Sequence, residues 1–196
     1  MSAAAPSIKS QPVYHALEWD AMGVSHLLFV ANDDKPLLDR LLAAPPRGEL
    51  TVLTTDTTTG ARLKSCGAAA HAVVADGLAR GLEALESMLQ SADMGLRLYL
   101  VGCEDAIWQA AGIAARYGMS SAEIRLFQTG TKARPVFCVH CRAMTRGVRT
   151  NLADCSGCGR TLFVRDHFSR RLGAYMGFQI DAEEPGVKPP VEVAYP

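Results

Sequence analysis

The chain has 196 residues, of which 48% are hydrophobic, and its formal net charge at pH 7 is zero. This length and composition predict one medium-sized domain and one small domain, with enough apolar residues for a packed core. A neutral total argues against a protein devoted to nucleic-acid binding. Because the first residues lack the apolar segment of a secretory signal and no apolar run reaches the length of a membrane span, we expect a cytoplasmic protein.

The first 131 residues predict an N-terminal arm at 1–21 and an α/β domain at 22–131. Five apolar runs predict buried strands, at His26–Ala31, Leu50–Leu53, His71–Val74, Arg97–Val101 and Glu123–Phe127. Helical spacing of apolar residues predicts helices at Pro36–Leu42, Leu78–Leu89 and Glu104–Tyr117. Alternating strands and helices are typical of a doubly wound parallel sheet, here five-stranded, in which ligands bind at the carboxyl ends of the strands.

Two stretches of this domain resemble the nucleotide-binding half of ferredoxin–NADP reductase-like proteins. They are His26-Leu-Leu-Phe-Val-Ala-Asn32 with Lys35-Pro-Leu-Leu38, and Leu98-Tyr-Leu-Val-Gly102-Cys-Glu104 with the helix and strand that follow it. The resemblance implies a glycine-rich loop for the cofactor pyrophosphate, but this chain has Asn32-Asp33-Asp34-Lys35, which contains two carboxylates and no glycine. We therefore expect a scaffold that has lost nucleotide binding. Any remnant of the cofactor site would comprise Ala31, Asn32, Lys35 and Gly102.

Two C-x-x-C pairs predict a metal site. They are Cys138-Val-His-Cys141 and Cys155-Ser-Gly-Cys158, with 13 residues between them. This spacing is typical of a closed, structural site with four thiolate ligands: Cys138, Cys141, Cys155 and Cys158. Zn²⁺ is the expected metal, although a single iron of the rubredoxin type takes the same ligands. The alternative is a set of reduced cysteines that occur in pairs without a metal.

The other sulfur and imidazole groups near these motifs are not expected to be ligands. His140, inside the first pair, is predicted to be a turn residue that faces solvent or a partner. Cys66 and Cys103 are distant in sequence from the pairs, and we expect them to be ordinary half-buried residues.

Residues 132–180 predict a zinc ribbon followed by a docking helix. We expect Arg142–Asp154 to form a hairpin between the pairs with Gly147 at its turn, and Thr161–Val164 to be an apolar strand. Phe168, Leu172, Tyr175 and Met176 have helical spacing and predict an amphipathic helix from Asp166 to Gly177. Such a helix either packs on its own domain or docks in a partner's groove.

Charge is unevenly distributed towards the end of the chain. Residues 132–177 carry nine Lys and Arg against two Asp, which indicates either docking to an anionic surface or simple solvation of a small domain. The tail at 181–196 is acidic and rich in proline, and we expect it to be extended or disordered.

The cysteine pairs and the segment from Leu162 to Phe178 resemble the small accessory subunit of bacterial dimethylamine monooxygenase, also called the haem-dependent oxidative N-demethylase. The resemblance implies a complex that uses NADPH and O₂ to convert dimethylamine to methylamine and formaldehyde. It also implies that haem, FMN, a [2Fe–2S] cluster and folate bind to other subunits. The implied partners are a haem subunit, a flavin and iron–sulfur reductase subunit, and a folate-binding subunit. We expect this chain to be an accessory subunit with no catalytic residue of its own.

Three other functions remain open on the sequence. Iron in the four-cysteine site would make the chain an electron-transfer protein that relays electrons from flavin to haem. A nucleotide site would survive if backbone donors near Ala31–Lys35 and residues around Gly102 still bind NADPH. Nucleic-acid binding through the basic ribbon is disfavoured, because acidic segments flank it.

Overall fold

The computed structural model describes residues 10–65 and 71–196, so Cys66 and the first nine residues of the arm lie outside the described residues. The chain divides into two compact units. One is Tyr14–Thr131, and the other is Lys132–Pro196 together with the described residues 10–13. Within the described ranges, no helix is both long enough and apolar enough to cross a membrane.

The first unit is an α/β fold with a single parallel sheet. In chain order its elements are β1 (Ser25–Val30), α1 (Lys35–Ala43), β2 (Glu49–Thr54), α2 (Thr57–Ser65), β3 (His71–Val74), α3 (Leu78–Gln90), β4 (Leu96–Gly102), α4 (Glu104–Arg116) and β5 (Ile124–Gln128). The strand order is β3-β2-β1-β4-β5, and all the pairings are parallel. This confirms the predicted five-stranded, doubly wound sheet. The sequence did not predict α2.

Burial on both faces explains why the strands of this sheet were recognisable as apolar runs. Five of the six residues of β1 and the last five residues of β4 are buried. Phe29 and Leu100 belong to a core cluster that includes α3 and α4, whereas Leu28 and Val101 belong to a cluster that includes α1. A parallel sheet covered by helices on both faces needs apolar side chains at successive positions.

The second unit contains a five-stranded mixed sheet. Its strands are β6 (Arg134–Cys138), β7 (Met144–Val148), β8 (Leu152–Asp154), β9 (Thr161–Ser169) and β10 (Ala174–Gln179). The order is β7-β6-β10-β9-β8. β10 lies between the other strands, parallel to β6 and antiparallel to β9.

The predicted hairpin between the cysteine pairs is wrong. β7 pairs with β6 and β8 pairs with β9, so the two halves of Arg142–Asp154 lie at opposite edges of the sheet. Each C-x-x-C pair is itself in the turn of a hairpin. Gly147 lies within β7, where its φ of 69° accompanies a shift in the register with β6.

The predicted helix from Asp166 to Gly177 is also wrong, because this segment forms the end of β9, a turn and most of β10. The turn includes Gly173, whose φ of 61° suits glycine. Phe168 packs edge-on against Tyr175 across the two strands, with ring centroids 5.0 Å apart. Phe168 and Tyr175, which are seven residues apart in sequence, are therefore brought together by strand pairing and not by helical periodicity.

The acidic tail begins with turns at 181–186 and makes defined contacts with its own unit. Val193 forms an antiparallel bridge with Thr150. The guanidinium carbon of Arg134 lies 3.7 Å from the ring centre of Tyr195 and 3.9 Å from the ring centre of Tyr175. These contacts enclose Arg134, which also forms an ion pair with Asp166 at 2.8 Å.

Candidate metal centre

The structure brings the four predicted cysteines together. Their sulfur atoms all lie within 4.8 Å of one another, and in the described chain they form a group that could hold a metal ion. Across the two pairs, the Sγ atoms of Cys141 and Cys155 are 3.5 Å apart and those of Cys138 and Cys158 are 3.9 Å apart. Four sulfurs at 2.3 Å from a tetrahedral ion would be about 3.8 Å from each other. The donor set and its spacing therefore fit a four-thiolate site.

The two cysteine turns share the same backbone hydrogen bonds. The N–H of the first cysteine donates to the carbonyl five residues later, from Cys138 to Ala143 and from Cys155 to Arg160, both at 2.9 Å. The carbonyl of the first cysteine in turn accepts the backbone N–H of the residue four positions later, from Arg142 to Cys138 at 2.9 Å and from Gly159 to Cys155 at 3.0 Å. Each pair is thus held by a closed turn at the end of a hairpin.

The residue after the second cysteine has a positive φ in both turns. It is Gly159 with φ of 69° in the second turn and Arg142 with φ of 65° in the first. Glycine adopts this conformation without a steric cost, whereas a residue with a Cβ atom does not. Arg142 therefore carries backbone strain that the geometry of the site imposes.

Close packing joins the second turn to the first. A Cβ atom at Gly157 would lie 2.6 Å from the Cβ of Ala143 and 3.1 Å from the Sγ of Cys141. The Ser156 N–H donates to the hydroxyl of Thr145 at 3.1 Å, and the Ser156 hydroxyl donates to the carbonyl of Met144 at 3.2 Å. The residues between the cysteines thus set the distance between the two turns.

The cysteines differ in how readily they lose a proton. The backbone N–H of Arg160 and, against the effect of burial, its guanidinium lower the pKa of Cys158 to about 5. The Ala143 N–H favours the Cys141 thiolate, but desolvation and hydrogen bonds to the other cysteines raise the pKa of Cys141 to about 12. Four adjacent thiolates repel one another, so a divalent cation is needed to stabilise the fully deprotonated cluster.

An arginine supports the cluster from outside. Arg160 donates from Nε to Gln179 at 2.9 Å, and its Nη1 lies 3.1 Å from Nδ1 of exposed His140. Because a guanidinium can only donate, Nδ1 of His140 is the acceptor in this contact. The cysteine spacing gives no indication of the roles of Arg160 and Gly157, although both lie in the run Cys155-Ser-Gly-Cys158-Gly-Arg160.

The proposed remnant of a nucleotide site lies at the carboxyl ends of β1 and β4. The N–H of Ala31 donates to the backbone carbonyl of Val101 at 2.8 Å, and the Asn32 side-chain oxygen accepts the backbone N–H of Cys103 at 2.8 Å. A Cβ atom at Gly102 would be 2.9 Å from the Cβ of Ala31. Three of the four positions are therefore together and packed against each other. Cys103 itself is half-buried, as expected.

The charged groups around this end of the sheet are largely engaged with each other. Lys35 forms an ion pair with Asp39 at 2.6 Å, and Asp33 forms one with Arg62 at 2.7 Å. The first turn of α4 begins with Glu104, which is buried and accepts the hydroxyl hydrogen of Tyr14 at 2.6 Å. The Asn32 side chain therefore occupies the N–H of Cys103, and the Glu104 carboxylate places a negative charge at the start of α4. Both features disfavour a phosphate at this helix N-terminus.

Comparisons with known proteins identify relatives for both units. Residues 6–124 match the family described as the N-terminal domain of the dimethylamine monooxygenase subunit DmmA-like, and residues 135–178 match its C-terminal domain. The chain is 40% identical over 107 residues to the heme-dependent oxidative N-demethylase delta subunit of Ectopseudomonas mendocina (strain ymp). This alignment covers 54% of the chain and 61% of that relative. No solved structure matches the chain.

Proposed function

Because the chain belongs to the family of DmmA-like dimethylamine monooxygenase subunits, we propose that it is a non-catalytic subunit of an oxidative N-demethylase. The named relative is the delta subunit of such an enzyme, and the aligned region spans about three-fifths of its length. The substrate of the complex would be dimethylamine, with NADPH and O₂ as co-substrates. Its haem, flavin, iron–sulfur and folate sites would belong to companion subunits.

The convergence of four cysteine sulfurs is the observation that carries this proposal. A tetrahedral set of thiolates leaves no ligand position for water or substrate, which is typical of a structural metal and not a catalytic one. We propose Zn²⁺, held by Cys138, Cys141, Cys155 and Cys158. The ion would tie the β6–β7 hairpin to the β8–β9 hairpin, which makes the second unit a rigid support for assembly of the complex.

We propose that the α/β unit serves as a scaffold without binding NADPH. The hydrogen bond from Cys103 to Asn32 and the carboxylates of Asp33, Asp34 and Glu104 favour this interpretation, since a pyrophosphate needs free N–H donors and positive potential. Calorimetric titration of the full chain with NADPH should give no binding heat. Saturable binding of NADPH that ADP inhibits by competition would contradict the scaffold proposal and leave the metal proposal intact.

Co-expression of the companion subunits with and without this chain tests the subunit proposal. We expect the complete complex to form formaldehyde from dimethylamine, NADPH and O₂, and the complex without this chain to lose assembly or activity. Co-expression with the Cys155→Ser variant should resemble omission of the chain, and wild-type protein added afterwards should restore the complex. Full assembly and turnover in the absence of the chain would refute the proposal.

Metal analysis of the purified chain tests the identity of the ion. We expect about one zinc per chain and no absorption band in the visible region. Iron with the red colour of an oxidised four-thiolate site would instead support an electron-transfer role, in which the ion relays electrons between flavin and haem.

A further inference from the structure

One face of the sheet in the second unit carries a row of large apolar side chains from four neighbouring strands. Phe137 of β6 pairs with Met144 of β7 and with Met176 of β10, and Phe178 of β10 pairs with Phe163 of β9. Directly paired residues share a face of a sheet, as do residues two apart on a regular strand. We call these five residues the apolar strip: Phe137, Met144, Phe163, Met176 and Phe178.

The apolar strip is partly exposed, in contrast to the opposite face. All five of its side chains have intermediate exposure. The alternate positions Val136 and Leu162 are completely buried, and Tyr175 and Val164 are 3% exposed. The opposite face therefore forms the core of the unit, and the strip leaves phenylalanine and methionine side chains partly accessible on four of the five strands. A row of partly exposed, large apolar side chains on neighbouring strands is a candidate interaction site.

Positive charge accompanies the apolar strip. The guanidinium carbon of exposed Arg165 lies 4.9 Å from the ring centre of Phe178. Stacking on a ring leaves the N–H groups at the edge of a guanidinium free for a carboxylate. Arg170 and Arg171 are also exposed, in the turn that joins β9 to β10. Residues 132–196 carry ten Lys and Arg against six Asp and Glu, so the unit stays positive after a divalent ion with four thiolates subtracts two charges.

We propose that the apolar strip and Arg165 form a docking surface for an acidic patch on a companion subunit of the complex, an inference that rests on the proposed function. The matching patch would present apolar side chains to Phe137, Met176 and Phe178, with Asp or Glu beside them to pair with Arg165. Charge complementarity favours an acidic protein surface over a second copy of this strip, since two copies would bring their arginines together. Methionine side chains suit such a surface because they adapt to the shape of a partner.

Binding of the full zinc-loaded chain to purified, co-expressed companion subunits tests this proposal. Calorimetry at 50 and 300 mM NaCl should show that Arg165→Glu weakens binding at least tenfold at low salt and reduces its dependence on salt. Met176→Ser should weaken binding by a similar factor without changing the salt dependence. Arg80→Glu, an equal charge change at an exposed position of α3 in the other unit, should bind as the wild type does. Zinc content and melting temperature verify that each variant is folded.

The possible results separate the two proposals. If the wild-type chain binds but the Arg165 and Met176 variants bind equally well, the docking surface is refuted and the subunit proposal stands. If sedimentation shows that the wild type self-associates and that Met176→Ser abolishes only this self-association, a second copy occupies the strip and our choice of partner is wrong. A wild-type chain that binds none of the companion subunits refutes both.

Discussion

Replacement of Gly157 by alanine should weaken zinc binding through contact with the opposite turn. The added Cβ atom would lie 2.6 Å from the Cβ of Ala143, whereas carbon atoms pack at about 3.5–4.0 Å, so the overlap is about 1 Å. The same atom would be 3.1 Å from the Sγ of Cys141. Relief of the overlap must move one turn away from the other, which stretches the tetrahedron of sulfurs.

Overpacking of this kind costs about 1–3 kcal/mol, which corresponds to a zinc dissociation constant raised roughly 5- to 150-fold. Competition with a chromophoric chelator at fixed pH measures that constant directly. Gly112→Ala is the matched control, because a Cβ atom in the middle of α4 meets no other atom within 4 Å. It should leave zinc affinity unchanged. If the Gly157 variant holds zinc as tightly as the wild type, the close approach of the two turns does not constrain the site and the geometry described above is wrong.

Three further changes test other parts of the structure. Cys155→Ser should abolish zinc binding, which contributes about 10 kcal/mol in comparable sites, and calorimetry should show loss of the melting transition of the second unit while the α/β unit still unfolds cooperatively. Arg142→Gly should raise the stability of the zinc-loaded second unit by up to about 1 kcal/mol in thermal unfolding. Relief of the strain at φ of 65°, about 1–2 kcal/mol, exceeds the cost of about 0.4–1 kcal/mol from the greater unfolded-chain entropy of glycine. Unchanged or lower stability would show that Arg142 is not strained. Burial lowers the pKa of His26, which contacts the Arg47 carbonyl and the Tyr99 hydroxyl, each at 3.0 Å. The unfolded chain therefore binds the proton more readily, so stability in urea should fall as the pH drops below about 6.5, and His26→Gln should weaken that dependence.

The sequence predicted the α/β sheet well because its strands are buried on both faces. Such strands are continuous apolar runs, as in β1 and β4. The His71–Val74 prediction also coincides with β3, although the residues of this edge strand are exposed or half-buried. Helix α2 was missed because Thr57–Ser65 has three successive threonines, a glycine and a single leucine, and thus lacks an apolar stripe. Its start is stabilised by Asp56, which accepts the N–H of Thr59 at 2.8 Å, a local signal that periodicity does not detect.

The second unit was harder to predict because the spacing of its apolar residues fits both the two-residue period of a strand and the period of a helix. In β9, Leu162, Val164 and Phe168 are buried at even-numbered positions, which indicates a strand, but Phe168 and Leu172 also have helical spacing. A register shift between β9 and β10 hides the alternation further. The spacing of the cysteines predicted which sulfurs would converge, whereas the strand that separates the two hairpins depends on long-range pairing that the local sequence does not encode.

The central position of β10 has a consequence for the order of assembly during synthesis. The two hairpins that carry the cysteines emerge from the ribosome first, and they have no strand contact with each other until residues 174–179 arrive. An ion captured by the nascent chain would therefore join the ends of both hairpins before β10 is made. β10 would then insert between β6 and β9 and complete the sheet. Cellular zinc supply at the moment of translation, and not only afterwards, should then govern the yield of correctly folded protein.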